Sequence, residues 1–186
     1  MSFTRMDQST AEDWMKIGGE VAKRQAQMPA MIKSMLRQLE EQVDGFSMNQ
    51  LQHALQTATM AERAGASEEL IVAALCHDIG KVISVINHPA IAAEILKPYV
   101  SSEVYDVIRT HQDFQGKHYY AHFGMETNLR QQHEQQPWYP LAKQFTDEWD
   151  QAAFDPNYET LPLEHFEPMI ERVFSKELVK VQKAAS

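Results

Sequence analysis

The sequence predicts an all-α fold that forms one globular unit. Apolar residues recur at helical spacing along much of the chain, and glycines and prolines lie mostly between these periodic stretches. The alternating Val, Ile and Thr pattern of β-strands is absent from the sequence. A length of 186 residues, with 44% hydrophobic and 23% charged residues, is typical of a single folded domain.

The first two helical regions are predicted from periodicity and capping residues. Residues 11–42 are amphipathic, and Pro29 is expected to break or begin a helix within them. The next helix is expected to run from Asn49, a good N-cap, to Ala64. Gly65 can adopt the left-handed conformation that ends a helix.

Three helices are expected in the middle of the chain. The first begins after Ser67, whose hydroxyl can cap it, and stops near Gly80. The second opens just before Pro89 and ends before Pro98, since proline suits the first turn of a helix but not its interior. The third covers about residues 101–111.

The remaining sequence predicts an ordered loop and two further helices. Residues 112–130 are polar, aromatic and rich in histidine, which favours a loop. Helices are expected over about residues 138–153 and 164–174. We expect an N-terminal helical segment, residues 1–42, that packs on a core domain of residues 43–176. Residues 177–186 are expected to form a C-terminal tail.

Charge and composition restrict the possible partners and location. The net charge is −9 with a pI near 5.3, and no run rich in Lys and Arg is present. We therefore expect neither nucleic acid nor a membrane as partner. Cys76 is the single cysteine, and neither a secretory signal nor a membrane-spanning apolar run is found. A cytoplasmic, soluble protein is the expectation.

A set of histidines and aspartates indicates a metal site. Imidazoles recur at intervals of about one helix plus one turn, so that neighbouring helices of a bundle would bring them to one level. An aspartate directly follows the second histidine at the end of an apolar run, where its burial needs a cationic partner. The candidate ligands are His53, His77, Asp78, His88, His111 and Asp150.

Six such ligands exceed what one zinc ion requires and suit a dinuclear centre in which Asp78 bridges two ions. Nitrogen and oxygen ligands favour iron, manganese or a similar metal. Simpler roles are open for some of the residues. His88 before Pro89 would cap a helix, and Asp150 beside two further acids would be a solvated surface residue.

The ligand pattern resembles the HD-domain superfamily of metal-dependent phosphohydrolases. With His88 and His111 included, it is more similar to the mixed-valent diiron oxygenase branch, which includes myo-inositol oxygenase and 2-amino-1-hydroxyethylphosphonate dioxygenase. The similarity extends over NQLQHALQTATMAERAGASEELIVAALCHDIGK, residues 49–81. It continues in NHPAIAAEIL, THQDFQGKHYY and EWDQAAFDP.

The resemblance implies a helical HD-domain bundle with a central dinuclear site. Its cofactors would be two iron ions of mixed valence, Fe²⁺ and Fe³⁺, and O₂ would be a co-substrate. One metal would be bound by His53, His77, Asp78 and Asp150, and the other by Asp78, His88 and His111.

The implied activity is oxidative cleavage of a small anionic hydroxylated substrate. The first candidate is the C–P bond of a 1-hydroxyalkylphosphonate, cleaved to a carboxylate and phosphate, with an upstream hydroxylase supplying the substrate. Asp78 and Lys81 are the expected catalytic residues. Lys81, Lys117, His118 and Tyr120 are expected to bind substrate.

One departure from the family concerns the substrate. The phosphonate dioxygenases carry a tyrosine and a glutamate where this chain has Val43 and Phe46. The aromatic residues Phe46, Tyr119, Tyr120, Phe123 and Trp149 would suit a quaternary ammonium group, as in 1-hydroxy-2-(trimethylammonio)ethylphosphonate, although aromatic residues also form ordinary cores.

Two other functions stay open from the sequence. A metal-dependent HD phosphohydrolase acting on a phosphate ester would use the same lysines. A helical interaction module would use the histidines and aspartates as polar core and capping residues, and it would bind no stoichiometric metal.

Overall fold

The computed structural model describes residues 3–176, and these form α-helices joined by turns without any β-strand. The predicted all-α fold is therefore confirmed. Within the described part, no helix is both long enough and apolar enough to span a membrane. The helices are α1 (Ala11–Gln25), α2 (Met28–Gln38), α3 (Gln50–Arg63), α4 (Glu68–Cys76), α5 (His88–Leu96), α6 (Ser102–Gln115), α7 (Tyr139–Gln144) and α8 (Leu163–Phe174).

Side-chain caps begin the central helices where the sequence predicts. Asn49 accepts a hydrogen bond from the main-chain N–H of Gln52 at 2.8 Å, and the Gln52 side chain accepts one from the Asn49 N–H. Ser67 and Ser101 cap α4 and α6 through their hydroxyl groups. Gly65 follows α3 with φ +77°, as predicted for a left-handed helix stop.

Helix α4 ends earlier than predicted. It stops at Cys76 instead of near Gly80, and a 3₁₀ turn follows at Ile79–Val82. Between them Asp78 leaves the helical conformation, with φ −101° and ψ 2°. The tighter turn aligns side chains three residues apart, which brings Lys81 to 2.6 Å from the Asp78 carboxylate.

Helix α6 extends beyond its predicted end near His111. It continues to Gln115 because Phe114 is fully buried and so extends the apolar face by one turn. The predicted loop of residues 112–130 is therefore helical at its start. Its remainder consists largely of short 3₁₀ turns, at Gly116–His118 and Tyr120–Phe123 among others.

The predicted helix of residues 138–153 has two parts. Helix α7 passes into a π-helical segment, Phe145–Asp150, in which the chain makes wider turns. At its end the Gln151 N–H donates to the carbonyl oxygen of Thr146, five residues earlier, at 3.1 Å. The segment is buried along one side, where Phe145, Trp149 and Asp150 face the interior.

The core lies between α3, α4, α6 and the π-helical segment, and α5 packs along α6. Helix α2 packs against α8, and the pairs Lys33–Glu171 (2.8 Å) and Arg37–Glu167 (2.7 Å) join the two helices. Part of the predicted N-terminal segment therefore contacts the bundle. The domain boundaries stay a prediction, and residues 177–186 lie outside the described residues.

Candidate metal centre

The six predicted ligands meet in the interior of the bundle. His53 lies on α3, His77 and Asp78 follow α4, and His88 begins α5. His111 comes from α6, and Asp150 is the last residue of the π-helical segment. All six side chains are buried. The simpler expectation that Asp150 is a solvated surface acid is therefore wrong.

Main-chain carbonyl groups fix the orientation of each imidazole. The Nδ1 atom of every histidine in the cluster lies 2.6–3.0 Å from a carbonyl oxygen. Because a carbonyl oxygen only accepts, Nδ1 carries a proton, and in the neutral ring Nε2 presents a lone pair. The accepting carbonyls belong to Ala153, Ala74, Val85 and Ile108 for His53, His77, His88 and His111 in turn.

The Nε2 atoms face each other in two pairs. The Nε2 atoms of His53 and His77 lie 3.1 Å apart, and those of His88 and His111 lie 3.2 Å apart. Two lone pairs at this separation repel unless a cation or a proton lies between them. This is the arrangement expected where neutral imidazoles bind a metal and donate their other N–H to the main chain.

The Asp78 carboxylate lies between the two histidine pairs. Its Oδ2 atom is 3.5 Å from Nε2 of His53 and 3.4 Å from that of His77. Its Oδ1 atom is 3.0 Å from Nε2 of His88 and 3.7 Å from that of His111. One carboxylate thus offers one oxygen to each pair, which is the geometry of a bridging ligand.

Asp150 completes the first histidine pair. Its Oδ1 atom lies 3.2 Å from Nε2 of His53 and 3.3 Å from that of His77. The side-chain amide of Gln115, one turn after His111 on α6, donates to the same oxygen at 3.0 Å. Gln115 therefore orients the carboxylate toward the histidines.

These donors fit a pair of metal ions. Metal–ligand bonds of about 2.1 Å place the donor atoms of one ion roughly 3.0–3.4 Å apart. The Nε2 and carboxylate oxygen atoms lie at similar separations in two donor groups. The first donor group is His53, His77 and Asp150, and the second is His88, His111 and Asp78 Oδ1. Asp78 Oδ1 and Asp150 Oδ2 are buried without a hydrogen-bond partner among the described residues. Asp78 Oδ1, the unsatisfied oxygen that faces Nε2 of His88 and of His111, would be satisfied by a bound cation.

In the metal-free cluster, the pKa values of the buried histidines and carboxylates shift in different directions. Burial disfavours charged His77, but the carboxylates of Asp78 and Asp150 outweigh it and raise the pKa of His77 to about 10. Burial likewise disfavours the two ionised carboxylates, yet the charge of His77 holds their pKa values below the usual range. Burial lowers the pKa of His111.

These shifts predict opposite pH responses for the metal-free and metal-bound protein. Because the pKa of His77 is raised from 6.5 to about 10, its contribution to stability is full below pH 6.5 and is lost as pH rises toward 10. The lowered pKa values of Asp78 and Asp150 contribute stability above about pH 3.8, lost as pH falls. Metal must displace the His77 proton, so metal affinity should rise over the same interval in which the metal-free protein weakens.

Thermal unfolding from pH 6 to 10, with chelator and with metal, tests this response. We expect the midpoint of the metal-free protein to fall across this range and the His77→Gln variant to lose most of that slope. A metal-free midpoint with the same pH slope in both proteins would contradict the assignment of the proton to His77.

Lys81 is the predicted substrate-binding residue that lies at the cluster. Its ammonium group donates to Asp78 Oδ2 at 2.6 Å and to the side-chain carbonyl of Gln50 at 2.9 Å. The Lys81 side chain is only 15% exposed. A cation is therefore already held beside the Asp78 carboxylate.

The other three predicted substrate-binding residues have their described contacts away from the cluster. Lys117 is exposed and lines a surface cavity of about 280 Å³ with Arg130. His118 lies 3.3 Å from Asp147. Tyr120 is buried, which raises the pKa of its hydroxyl to about 12. Their role in substrate binding stays a prediction.

The predicted aromatic residues fall into separate groups. Phe46 stacks on Phe154 with ring centroids 4.7 Å apart, and Phe154 stacks on His53 at 4.3 Å. This stack leads from a half-exposed ring to a candidate ligand. In contrast, Tyr119 contacts Tyr120 and Phe123, whereas Trp149 is buried against Phe145.

Three residues that support the cluster were not predicted from the sequence. Gln50 precedes His53 by one turn, and Gln115 follows His111 by one turn, so each shares a helix face with a candidate ligand. That spacing was a signal available in the sequence. Phe154 had none, because its contact with His53 depends on how the chain turns after the π-helical segment.

Comparison with known proteins identifies the family of the chain. The chain is similar to [1-hydroxy-2-(trimethylamino)ethyl]phosphonate dioxygenase (glycine-betaine-forming) from Leisingera caerulea, with 35% identity over 86 residues, 40% of this chain. The match spans less than half, 44%, of that relative's length. The family model of the HD domain matches residues 51–155, which is more than half of the chain. The similarity to a phosphonate dioxygenase is consistent with the oxygenase branch, and the chain belongs to the HD-domain family.

Proposed function

We propose that the protein is an O₂-dependent oxygenase that cleaves the C–P bond of a 1-hydroxyalkylphosphonate to a carboxylate and phosphate. The observation that carries this proposal is the second donor group, in which Nε2 of His88 and of His111 meet Asp78 Oδ1. A complete second ligand set supports two metal ions. The similarity to a phosphonate dioxygenase supports the substrate class.

The donor geometry supports one assignment of ligands to two iron ions. One ion would be held by His53, His77, Asp150 and Asp78 Oδ2, and the other by His88, His111 and Asp78 Oδ1. When bound, a mixed-valent iron pair would supply Lewis acidity and electron transfer.

The residues around the cluster would bind the substrate and protect the reaction. Lys81 places a positive charge beside the bridging Asp78, where it would hold the anionic group of the substrate. The buried position of the ligands limits access of water. The overall reaction balances with one O₂, because one oxygen atom enters the carboxylate and the other enters the phosphate.

Further substrate contacts and the reaction partner belong to the same proposal. Lys117, His118 and Tyr120 would line the path of the substrate. The stack of Phe46 on Phe154 would suit a quaternary ammonium group, as in 1-hydroxy-2-(trimethylammonio)ethylphosphonate. A hydroxylase acting earlier would supply the hydroxylated substrate.

A metal-dependent phosphohydrolase is the second candidate. It is favoured by the first donor group, His53, His77 and Asp150, which could hold a metal without the second. Lys81 would then hold the phosphate group of an ester.

Loss of His88 separates these functions. In the iron-loaded protein, His88→Ala should lower the metal content from two ions to one per chain. It should also reduce O₂-dependent phosphate release by at least about hundredfold. Residues that only support a ligand contribute about tenfold to hundredfold, and a ligand itself contributes more. His133→Ala is the matched control, since His133 pairs with Asp113 at 2.9 Å outside the cluster.

Metal analysis, electron paramagnetic resonance and phosphate assays with and without O₂ provide the measurements. A coupled mixed-valent signal that changes with hydroxyphosphonate, together with O₂-dependent phosphate release, would support the oxygenase. Phosphate release from esters without O₂, retained in His88→Ala, would instead identify a phosphohydrolase.

A further inference from the structure

Gln50 occupies a buried position beside the candidate metal centre. It is the first residue of α3 and is only 1% exposed. It precedes His53 by one turn and therefore lies on the same helix face. Its main-chain N–H donates to the carbonyl oxygen of Gln42 at 2.8 Å, which fixes the start of the helix.

Lys81 determines how the Gln50 amide is turned. The side-chain oxygen of Gln50 accepts from the Lys81 ammonium group at 2.9 Å. The opposite orientation would place an N–H group against an ammonium group, and neither can accept. The Nε2 atom of Gln50 is therefore directed away from Lys81.

The Nε2 atom is left with both of its protons unused. It is buried and has no hydrogen-bond partner among residues 3–176. Lys81 donates one bond to Gln50 and one to Asp78, which leaves its third N–H available. Gln50 and Lys81, which contact each other, thus each keep an unused N–H donor, and Lys81 also contacts the Asp78 carboxylate. Buried donors without partners are costly, so a ligand that accepts from them is favoured.

We propose that Gln50 binds the substrate by donating through Nε2 to an oxygen of its anionic phosphonate group, together with the Lys81 ammonium group. The inference rests on the proposed function for the identity of the anion. It assigns a polar substrate contact in the segment where Val43 and Phe46 offer no polar group. An oxyanion satisfies the donors of Gln50 and Lys81 at once, since each of its oxygens accepts more than one hydrogen bond.

A different role for Gln50 would be purely structural. The side-chain oxygen of Gln42 is also buried without a partner. A small movement that pairs the two amides would make Gln50 a residue of the fold. In that case changes at Gln50 would alter stability without altering anion affinity.

Anaerobic calorimetric titration of the iron-loaded full chain with methylphosphonate tests the proposal. This probe has no hydroxyl group on carbon, so the measurement reports binding without turnover. Gln50→Glu keeps an oxygen for Lys81 but replaces the donor by a charged acceptor, and Gln50→Met removes the amide without adding charge. We expect methylphosphonate to bind about a hundredfold more weakly to Gln50→Glu and about tenfold more weakly to Gln50→Met.

Gln52→Glu is the matched control. It adds the same charge two residues away, at an exposed position where glutamate preserves the capping box. It should leave methylphosphonate affinity within about twofold of wild type, because an exposed charge is screened. Metal content and the unfolding midpoint of every variant identify any that fails to fold or to bind metal.

The outcomes separate this inference from the proposed function. Affinities of both Gln50 variants equal to wild type, or no binding of methylphosphonate by the wild type, would overturn the assignment of Gln50. A wild-type protein that binds methylphosphonate through Gln50 but releases no phosphate with O₂ would retain the anion site while refuting the oxygenase.

Discussion

Asp78→Asn is expected to remove both metal ions from the protein. The two oxygens of this carboxylate face different histidine pairs, so neutralising it weakens both metal positions at once. Supporting residues of metal sites contribute about tenfold to hundredfold in affinity, and loss of a shared ligand should cost at least that at each position. Iron content after gel filtration and O₂-dependent turnover are the measurements, and both should fall close to background.

Asp113→Asn is the control for this change. Asp113 also pairs with a histidine, His133 at 2.9 Å, but the pair lies outside the cluster. This variant should retain two metal ions per chain. If Asp78→Asn also retained two, Asp78 would not be a bridging ligand, and the assignment of both metal positions would have to be abandoned.

Gly80→Ala is expected to displace His88 and to empty the second metal position. A methyl group at Gly80 would lie 2.8 Å from the Cα of His88 and would collide with its carbonyl oxygen. These are main-chain atoms, so the start of α5 must move. Such overpacking typically costs about 1–3 kcal/mol in the free energy of unfolding. We expect one metal ion per chain and loss of O₂-dependent activity.

Gly19→Ala provides the comparison. A methyl group there meets no atom within 4 Å, and Gly19 lies inside helix α1. Alanine should therefore leave metal binding unchanged and raise stability slightly, by about 0.5–1 kcal/mol. Denaturant unfolding and metal analysis measure both variants. Two bound metals in Gly80→Ala would show that α5 tolerates the displacement.

Much of the fold could be predicted because local signals determine its helices. Asn49, Ser67 and Ser101 begin helices through their own side chains, and these contacts are readable from sequence. The end of α4 was not predictable in this way. It depends on Asp78 turning toward His53, His88 and His111, which come from distant parts of the chain.

The composition of the candidate site was predictable to a similar degree. Histidines spaced by a helix and a turn predicted a shared level in the bundle, and the structure brings all six candidate ligands together. The bridging position of Asp78 was predicted from the number of ligands, whereas the assignment of the other ligands to each ion rested on the family resemblance. The anchoring carbonyls could not be predicted, because main-chain acceptors carry no sequence signal. The spacing of Gln50 and Gln115 places each on a helix face with a candidate ligand, but their contacts with Lys81 and Asp150 depend on the tertiary fold.

The π-helical segment links the stability of the chain to its chemistry. A π turn holds more residues than an α turn, and it is less stable than the regular helix that one deletion would restore. Such a deletion would rotate Asp150 by about 100° relative to α7 and turn its carboxylate from the histidines. Natural selection for a more stable helix would therefore oppose selection for the arrangement of the candidate ligand atoms. The two outcomes differ by the deletion of one codon.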